Sequence, residues 1–283
     1  MSQSVAHLAP RRALLRLEIA DALRSRWVLF TAATYVLVFG GFVWLGLRES
    51  SVLGFTGISR VVLNLANVVV VVLPLVALVS TTQTIVRART SGFFELFLTQ
   101  PCRRGDWFSA LLISRMLMIA GPLLVLLLAT VLTGMLRGES GIVALVLRSA
   151  AVTVSLTFAF VGVGFWLSAV ALTSERATVY ALVAWLCASA LHDFALIGLL
   201  LQVRLAPQAV FALAAVNPVE AARLALLSGI DPELSVLGPV GFWLSNAAGP
   251  NLVLALGLAW PAVIGLLSSW AAHVRLGRMD LVG

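Results

Sequence analysis

An all-α integral membrane protein is the fold this sequence predicts, and three observations carry the prediction. The 283 residues have a mean hydropathy of +1.05, and 61% are hydrophobic while only 11% are charged. A water-soluble domain carries about 25% charged residues. Six apolar segments are each long enough to cross a ~30 Å hydrocarbon core at ~1.5 Å per residue. All 19 basic residues are Arg, and they divide unequally between the connecting loops. The net charge of +7 therefore reads as a positive-inside signature and not as a nucleic-acid surface.

Residues 10–26 open the chain with an amphipathic helix. Leu15, Ile19 and Leu23 recur at i, i+4, i+8 among Arg11, Arg12, Arg16, Glu18, Asp21, Arg24 and Arg26. That stripe predicts an interfacial helix against membrane lipid. Five Arg, two acids and no cleavage pattern distinguish it from a secretory signal. The first span runs over 27–47, with Trp27 and Trp44 near its ends, where indoles favour the interface. A loop at 48–60 leads to a second span over 61–86, which contains Pro74 and has Asn64 and Asn67 at its outer end.

Residues 87–108 break the apolar pattern. Arg87 and Arg89 precede the run Phe93-Phe94-Glu95-Leu96-Phe97-Leu98, and Arg103, Arg104 and Asp106 follow it. Phe93, Leu96 and Phe97 share one helical face at i, i+3, i+4. Pro101 ends the turn, because proline lacks the N–H a helix needs and restricts the residue before it. The result is a short amphipathic helix in a basic loop, with Phe93, Leu96 and Phe97 as anchors for a groove on a soluble partner.

The third span covers 109–136, with Gly121-Pro122 as a kink. The fourth covers 142–172, where Gly162 and Gly164 permit close helix contact. The fifth covers 177–201 and holds His192-Asp193 in its outer half, read as a hydrogen-bonded pair meeting Arg204. Residues 202–250 are rich in Pro and Gly. Their apolar pieces at 208–216 and 218–229 are too short to span, which predicts an extracytoplasmic segment of short or re-entrant helices. The sixth span covers 251–273.

Six spans put both termini on one side. That side holds 13 Arg against 6 on the other, so the termini and the 87–108 loop are cytoplasmic. No nucleotide-binding fingerprint is present, so the energy source is a partner or a gradient. Neither Cys102 nor Cys187 has a metal- or redox-spaced partner, and Met116 and Met118 lie two apart, on different faces; all four read as apolar filler. No nucleophile–base pair, paired intramembrane carboxylates or metal-ligand set is specified, which argues against an enzyme. No cofactor is expected.

The pattern Gly92-x-x-Glu95-Leu96-x-Leu98-x-x-Pro101-x-x-Arg104 resembles the Gly-Thr-Leu-Glu-Leu-Leu-Leu-Ser-x-Pro-x-x-Arg pattern at the coupling helix of permease subunits of type-two ABC exporters. Three further stretches are similar to the permeases of the nitrous oxide reductase maturation system: Ala20–Trp27, Gly54–Ile58, and Asn217-Pro218 with Arg223-Leu224 and Leu227–Gly229. The chain departs from the family before the coupling glycine, where Arg87-Ala88-Arg89 stands in place of acids. The resemblance implies one permease domain over 1–283, with Phe93, Phe94, Glu95, Leu96, Phe97, Leu98, Pro101 and Arg104 as the ATPase-coupling residues. It implies a homodimer with two ATPase copies in a bacterial inner membrane, and a periplasmic copper-maturation partner. The competing readings are an ATPase-independent anchor or assembly factor, and an ABC permease for another cargo.

Overall fold

The computed structural model describes residues 13–21, 23–24, 29–37, 40–41, 71–100, 102–136, 141–203, 205–231, 234, 238–247 and 249–278. The expectations for Trp27, Trp44, the 48–60 loop, Asn64, Asn67, Pro101 and Arg204 fall outside them. All regular structure among the described residues is helical. In chain order, α1 covers 13–21, α2 29–37, α3 Val71–Thr90, α4 Phe93–Leu98, α5 Arg104–Leu136 and α6 Ile142–Val170. They are followed by α7 Ser174–Gln202, α8 Pro207–Val216, α9 Pro218–Ile230, α10 Gly238–Ala247 and α11 Gly249–Arg278.

Five of these, α3, α5, α6, α7 and α11, are long and apolar enough to cross a membrane. Their boundaries correct the sequence reading on both sides of the basic loop. Helix α3 continues to Thr90 and α5 begins at Arg104. Arg87 and Arg89 therefore lie on the last turn of one long helix, and Arg104 opens the next. Helix α3 is broken by a turn at Thr82–Gln83 and resumes at Thr84, and its last segment ends at Gly92, whose φ of +71° is a left-handed C-terminal stop. Helix α5 runs through Pro122 without interruption.

Helix α6 is central and touches α3, α5, α9 and α11. Its contact with α11 is backbone on backbone. A Cβ on Gly162 would stand 2.6 Å from the Gly265 carbonyl oxygen, and one on Gly265 would stand 2.6 Å from Phe158 Cδ1. On the neighbouring face, a Cβ on Gly164 would collide with Thr81 Oγ1 of α3. Small residues allow this approach where lipid offers no hydrophobic drive for association, and both predicted glycines serve it. Ser155 adds a hydrogen bond from its hydroxyl to the Leu258 carbonyl (2.6 Å). Gly257 of α11 likewise admits Ala221 and Ala225 of α9.

Helices α8 and α9 match the two short apolar pieces of the sequence and meet at 116°. Asn217 makes the corner, because its side-chain oxygen accepts from Val219 N–H (3.0 Å) while Pro218 starts the next helix without a donor to satisfy. Helix α10 was not foreseen, since its Gly and Pro content reads as loop. Helix α7 contains one π-helical turn, Cys187–Leu191. Met118 is buried and Met116 packs against the main core, as filler should. Cys102 packs there too, but Cys187 is exposed, a correction to its reading as filler.

Replacing Gly265 with Leu should separate α6 from α11 and cost about 1–3 kcal/mol, the usual range for overpacking. Thermal unfolding in mild detergent measures it, with Gly277→Leu as the neutral control because open space surrounds that position.

Candidate functional site

The chain reverses between α3 and α5 through α4. After α4, Gln100 N–H bonds the Phe97 carbonyl (3.1 Å) and Trp107 N–H bonds that of Arg103 (3.3 Å), so the descent into α5 is tight. This brings Trp107 back beneath the short helix. Its ring centroid lies 5.1 Å from Phe94 edge-on, 5.7 Å from Phe93 and 6.3 Å from Phe97. Phe93 and Phe97 stack on each other at 5.7 Å. Aromatic pairs in these arrangements contribute ~0.5–1.5 kcal/mol each beyond their buried area.

The packing settles which rings face outward. Phe94 is 1% exposed and Phe97 5%, whereas Phe93 is 37% exposed. Phe97, expected as an anchor for a partner, is buried within the chain itself. Trp107 supplies an apolar surface within the chain, and the two buried rings occupy it in preference to water. Glu95, Leu96 and Leu98 belong to the α4 backbone, and their side chains lie outside the described set. The outward surface around Phe93 is polar, with Arg87, Thr90, Ser91, Thr99, Gln100 and Arg103 all exposed.

The two flanking arginines reach elsewhere. Arg89 donates to the carbonyls of Ala171 (2.7 Å) and Leu172 (3.2 Å), just past the end of α6. Arg104 donates to those of Leu276 (3.2 Å) and Gly277 (3.1 Å) in the last turn of α11. A guanidinium at a helix C-terminus satisfies carbonyls that have no intrahelical partner and complements the negative end of the dipole. Arg89 and Arg104 thus fasten the short helix to the two spans that pack on each other, while Arg87 and Arg103 remain exposed. Behind them, Ser168 Oγ accepts from Ile85 N–H (2.9 Å) and Val86 N–H (3.1 Å), which the turn at Thr82–Gln83 leaves without helical partners.

Helix α1 joins the same assembly. Ser114 Oγ donates to the Glu18 carbonyl (3.0 Å), and the Glu18 carboxylate takes a hydrogen bond from the Trp107 side chain with Arg115 nearby. Burial raises the Glu18 pKa above its ordinary 4.5, opposed by Arg115 and by the Trp107 bond. Leu14 packs on the main core, while Leu23, expected on the apolar stripe, is 67% exposed and lines a mainly apolar groove against α5. The packing role of Trp107 and its contact with Glu18 were both missed from sequence. A lone Trp after a proline bend gives no periodic signal, and one acid among many Arg reads as a solvated charge.

At the opposite end of the bundle, Asp193 pairs with Arg223 (3.4 Å), which also pairs with Glu220 (2.7 Å). Asn217 Nδ2 donates to the Ala188 carbonyl (2.6 Å) inside the π-helical turn. Asp193 was expected to meet Arg204; its partner among the described residues is Arg223.

The family model for the ABC-2 family transporter protein matches residues 12–281, nearly the whole chain. The chain belongs to the ABC-2 transporter family. The probable ABC transporter permease protein NosY of Pseudomonas aeruginosa is 32% identical over 272 residues, covering 87% of this chain and 96% of the relative. The protein of the same name from Stutzerimonas stutzeri is 29% identical over 268 residues, covering 90% and 95%. This ABC-2 protein is accordingly a multi-pass membrane permease, the transmembrane component of a transporter whose ATP hydrolysis resides on a separate subunit.

Replacing Trp107 with Ala in this ABC-2 permease should cost about 3–5 kcal/mol and free α4, as for other large aromatic truncations. Faster limited proteolysis at the Ser91–Gly92 turn is the expected readout. The raised Glu18 pKa means that the folded state holds its proton more tightly than the unfolded chain. Stability from this group is complete below 4.5 and is lost as pH rises through the folded value. Glu18→Gln should flatten the decline in melting temperature over that window, measured by unfolding at stepped pH.

Proposed function

We propose that α4 is the coupling helix of this permease and that it receives the movement of a cytosolic ATPase, two copies of which serve a permease homodimer. The carrying observation is its division of labour. Phe94 and Phe97 are locked onto Trp107, while Phe93 stands exposed among Arg87, Ser91, Gln100 and Arg103. One aromatic anchor with a polar rim suits a groove on a soluble partner. With Arg87 and Arg103 on that rim, the complementary groove is acidic. The excess of Arg on the side of α4 supports a cytoplasmic placement for it and for both termini, in a bacterial inner membrane.

In this reading the apolar segment 27–47, of which 29–37 and 40–41 are helical, completes six spans with the five long helices. Helix α1 lies along the inner interface, and α8 to α10 form the outer mouth before the last span. The similarity to proteins named NosY supports the maturation of the nitrous oxide reductase copper site as the task served, with a periplasmic copper-maturation protein as the outer partner. The permease itself transmits motion outward.

Phe93→Asp should leave the permease folded yet weaken docking of the ATPase by about 2 kcal/mol, roughly thirtyfold, as expected for a central aromatic anchor. Stimulated ATP hydrolysis by the reconstituted complex should fall accordingly, whereas Phe94→Asp should lower the melting temperature of the permease alone. Undiminished stimulation in the folded Phe93→Asp protein would reject this docking face. If no nucleotide-binding protein co-purifies in mild detergent, the chain acts as an anchor instead. Deleting the gene should leave the host's nitrous oxide reductase deficient in copper; a fully loaded enzyme would point to another cargo.

A further inference from the structure

A cleft of about 450 Å³ opens on the outer surface between α6 and α11, lined by Trp166, Trp270, Ala271, Val274, Arg275 and Arg278. Neither indole is packed inside the bundle, since Trp166 is 42% exposed and Trp270 66%. Trp270, Val274 and Arg278 follow at i, i+4, i+8, so the groove floor turns from aromatic to aliphatic to cationic over about 12 Å of helix. That sequence matches the order of a bilayer leaflet from acyl chain and glycerol to phosphate, where indoles prefer the interface and arginines reach the headgroups.

The two guanidinium groups are differently held. Arg275 donates through Nε to the Ala169 carbonyl (3.1 Å), which fixes its plane and leaves its terminal nitrogens free to form a fork. Arg278 makes no hydrogen bond or ion pair to any described residue. A pre-oriented fork beside a free guanidinium is a donor set for a phosphodiester. The flanking indoles and Val274 give the attached acyl chains an apolar wall.

We infer that this cleft binds the headgroup of an anionic phospholipid of the inner leaflet. Ala169, whose carbonyl Arg275 holds, lies two residues before Ala171, whose carbonyl Arg89 caps, so the cleft is joined to the end of α6 on which the α3–α5 connection is fastened. The inner-leaflet assignment rests on the orientation proposed above, while the binding itself does not.

Native mass spectrometry of the purified full-length chain tests it, after exchange into nanodiscs of phosphatidylcholine alone or with phosphatidylglycerol added. Both leaflets are identical there, so failure of the orientation reading leaves the binding result intact. Retained phosphatidylglycerol adducts are expected on the natural chain. Binding should fall roughly fivefold in Arg278→Gln and further in Arg275→Gln/Arg278→Gln, in line with the attraction of one arginine near an anionic surface. Arg278→Gln removes no hydrogen bond or ion pair to a described residue, so its melting temperature should match the natural chain. Equal retention of phosphatidylglycerol and phosphatidylcholine would overturn the inference, as would undiminished binding in the double variant. Competition by inorganic phosphate at millimolar concentration would show a simple anion site and overturn it as well.

Discussion

Trp107 is the fixture on which the α4 end of this permease depends. One side chain, one turn into a long helix, carries the rings of Phe93, Phe94 and Phe97 and also reaches Glu18 of the N-terminal helix. A six-residue helix has too few internal hydrogen bonds to persist alone in water. Its stability is borrowed from aromatic burial on the neighbouring span. The two arginine caps then make the attachment directional, because each guanidinium meets carbonyls at the end of a specific span. The short helix is therefore rigidly joined to α6 and α11 where a tethered loop would leave it independent.

What lies beyond that junction is correspondingly stiff. Gly162 and Gly265 bring α6 and α11 into backbone contact, with no flexible side chains between them to absorb a displacement. The same α11 carries Gly257 against Ala221 and Ala225 of α9 near its other end. There Arg223 links α9 to Asp193 of α7, beside the π-helical turn, and Arg148 of α6 donates to the Ser228 carbonyl (3.1 Å). Small-residue packing thus links α6 through α11 to α9 of the bent pair, and the aromatic contacts and arginine caps join the short helix to that stack. For the proposed coupling, this means that a push on Phe93 meets solid contacts along the whole bundle. A π-turn, with its looser hydrogen bonding, is where such a bundle yields most readily.

Hydropathy and glycine spacing made the long helices and the α6 contact legible in the sequence, since both report properties of single segments. The short helix between α3 and α5 was legible for the same reason: its sequence interrupts the apolar pattern, and Pro101 marks its end. Which face of that helix points inward was not legible. A spacing of i, i+3, i+4 places Phe93, Leu96 and Phe97 on one side but carries no information about Trp107, ten or more residues away across a bend. The partners of Arg89 and Arg104 were not legible on the same ground, because a cation in a basic loop looks identical whether it meets solvent or the end of another helix. Helix α10 was hidden by Gly and Pro, whose local preference is overridden by packing of the Leu234–Leu244–Val253 cluster.

Site-directed labelling of the α4 turn in intact cells tests most directly whether it faces a cytosolic engine. Ser91→Cys, placed in a background with Cys102 and Cys187 replaced by Ala, gives a single exposed thiol next to Phe93. A cytosol-facing coupling helix predicts no reaction with membrane-impermeant maleimide until the inner membrane is opened, and then protection when the ATPase is bound. Rapid labelling from the periplasm in sealed cells would contradict it.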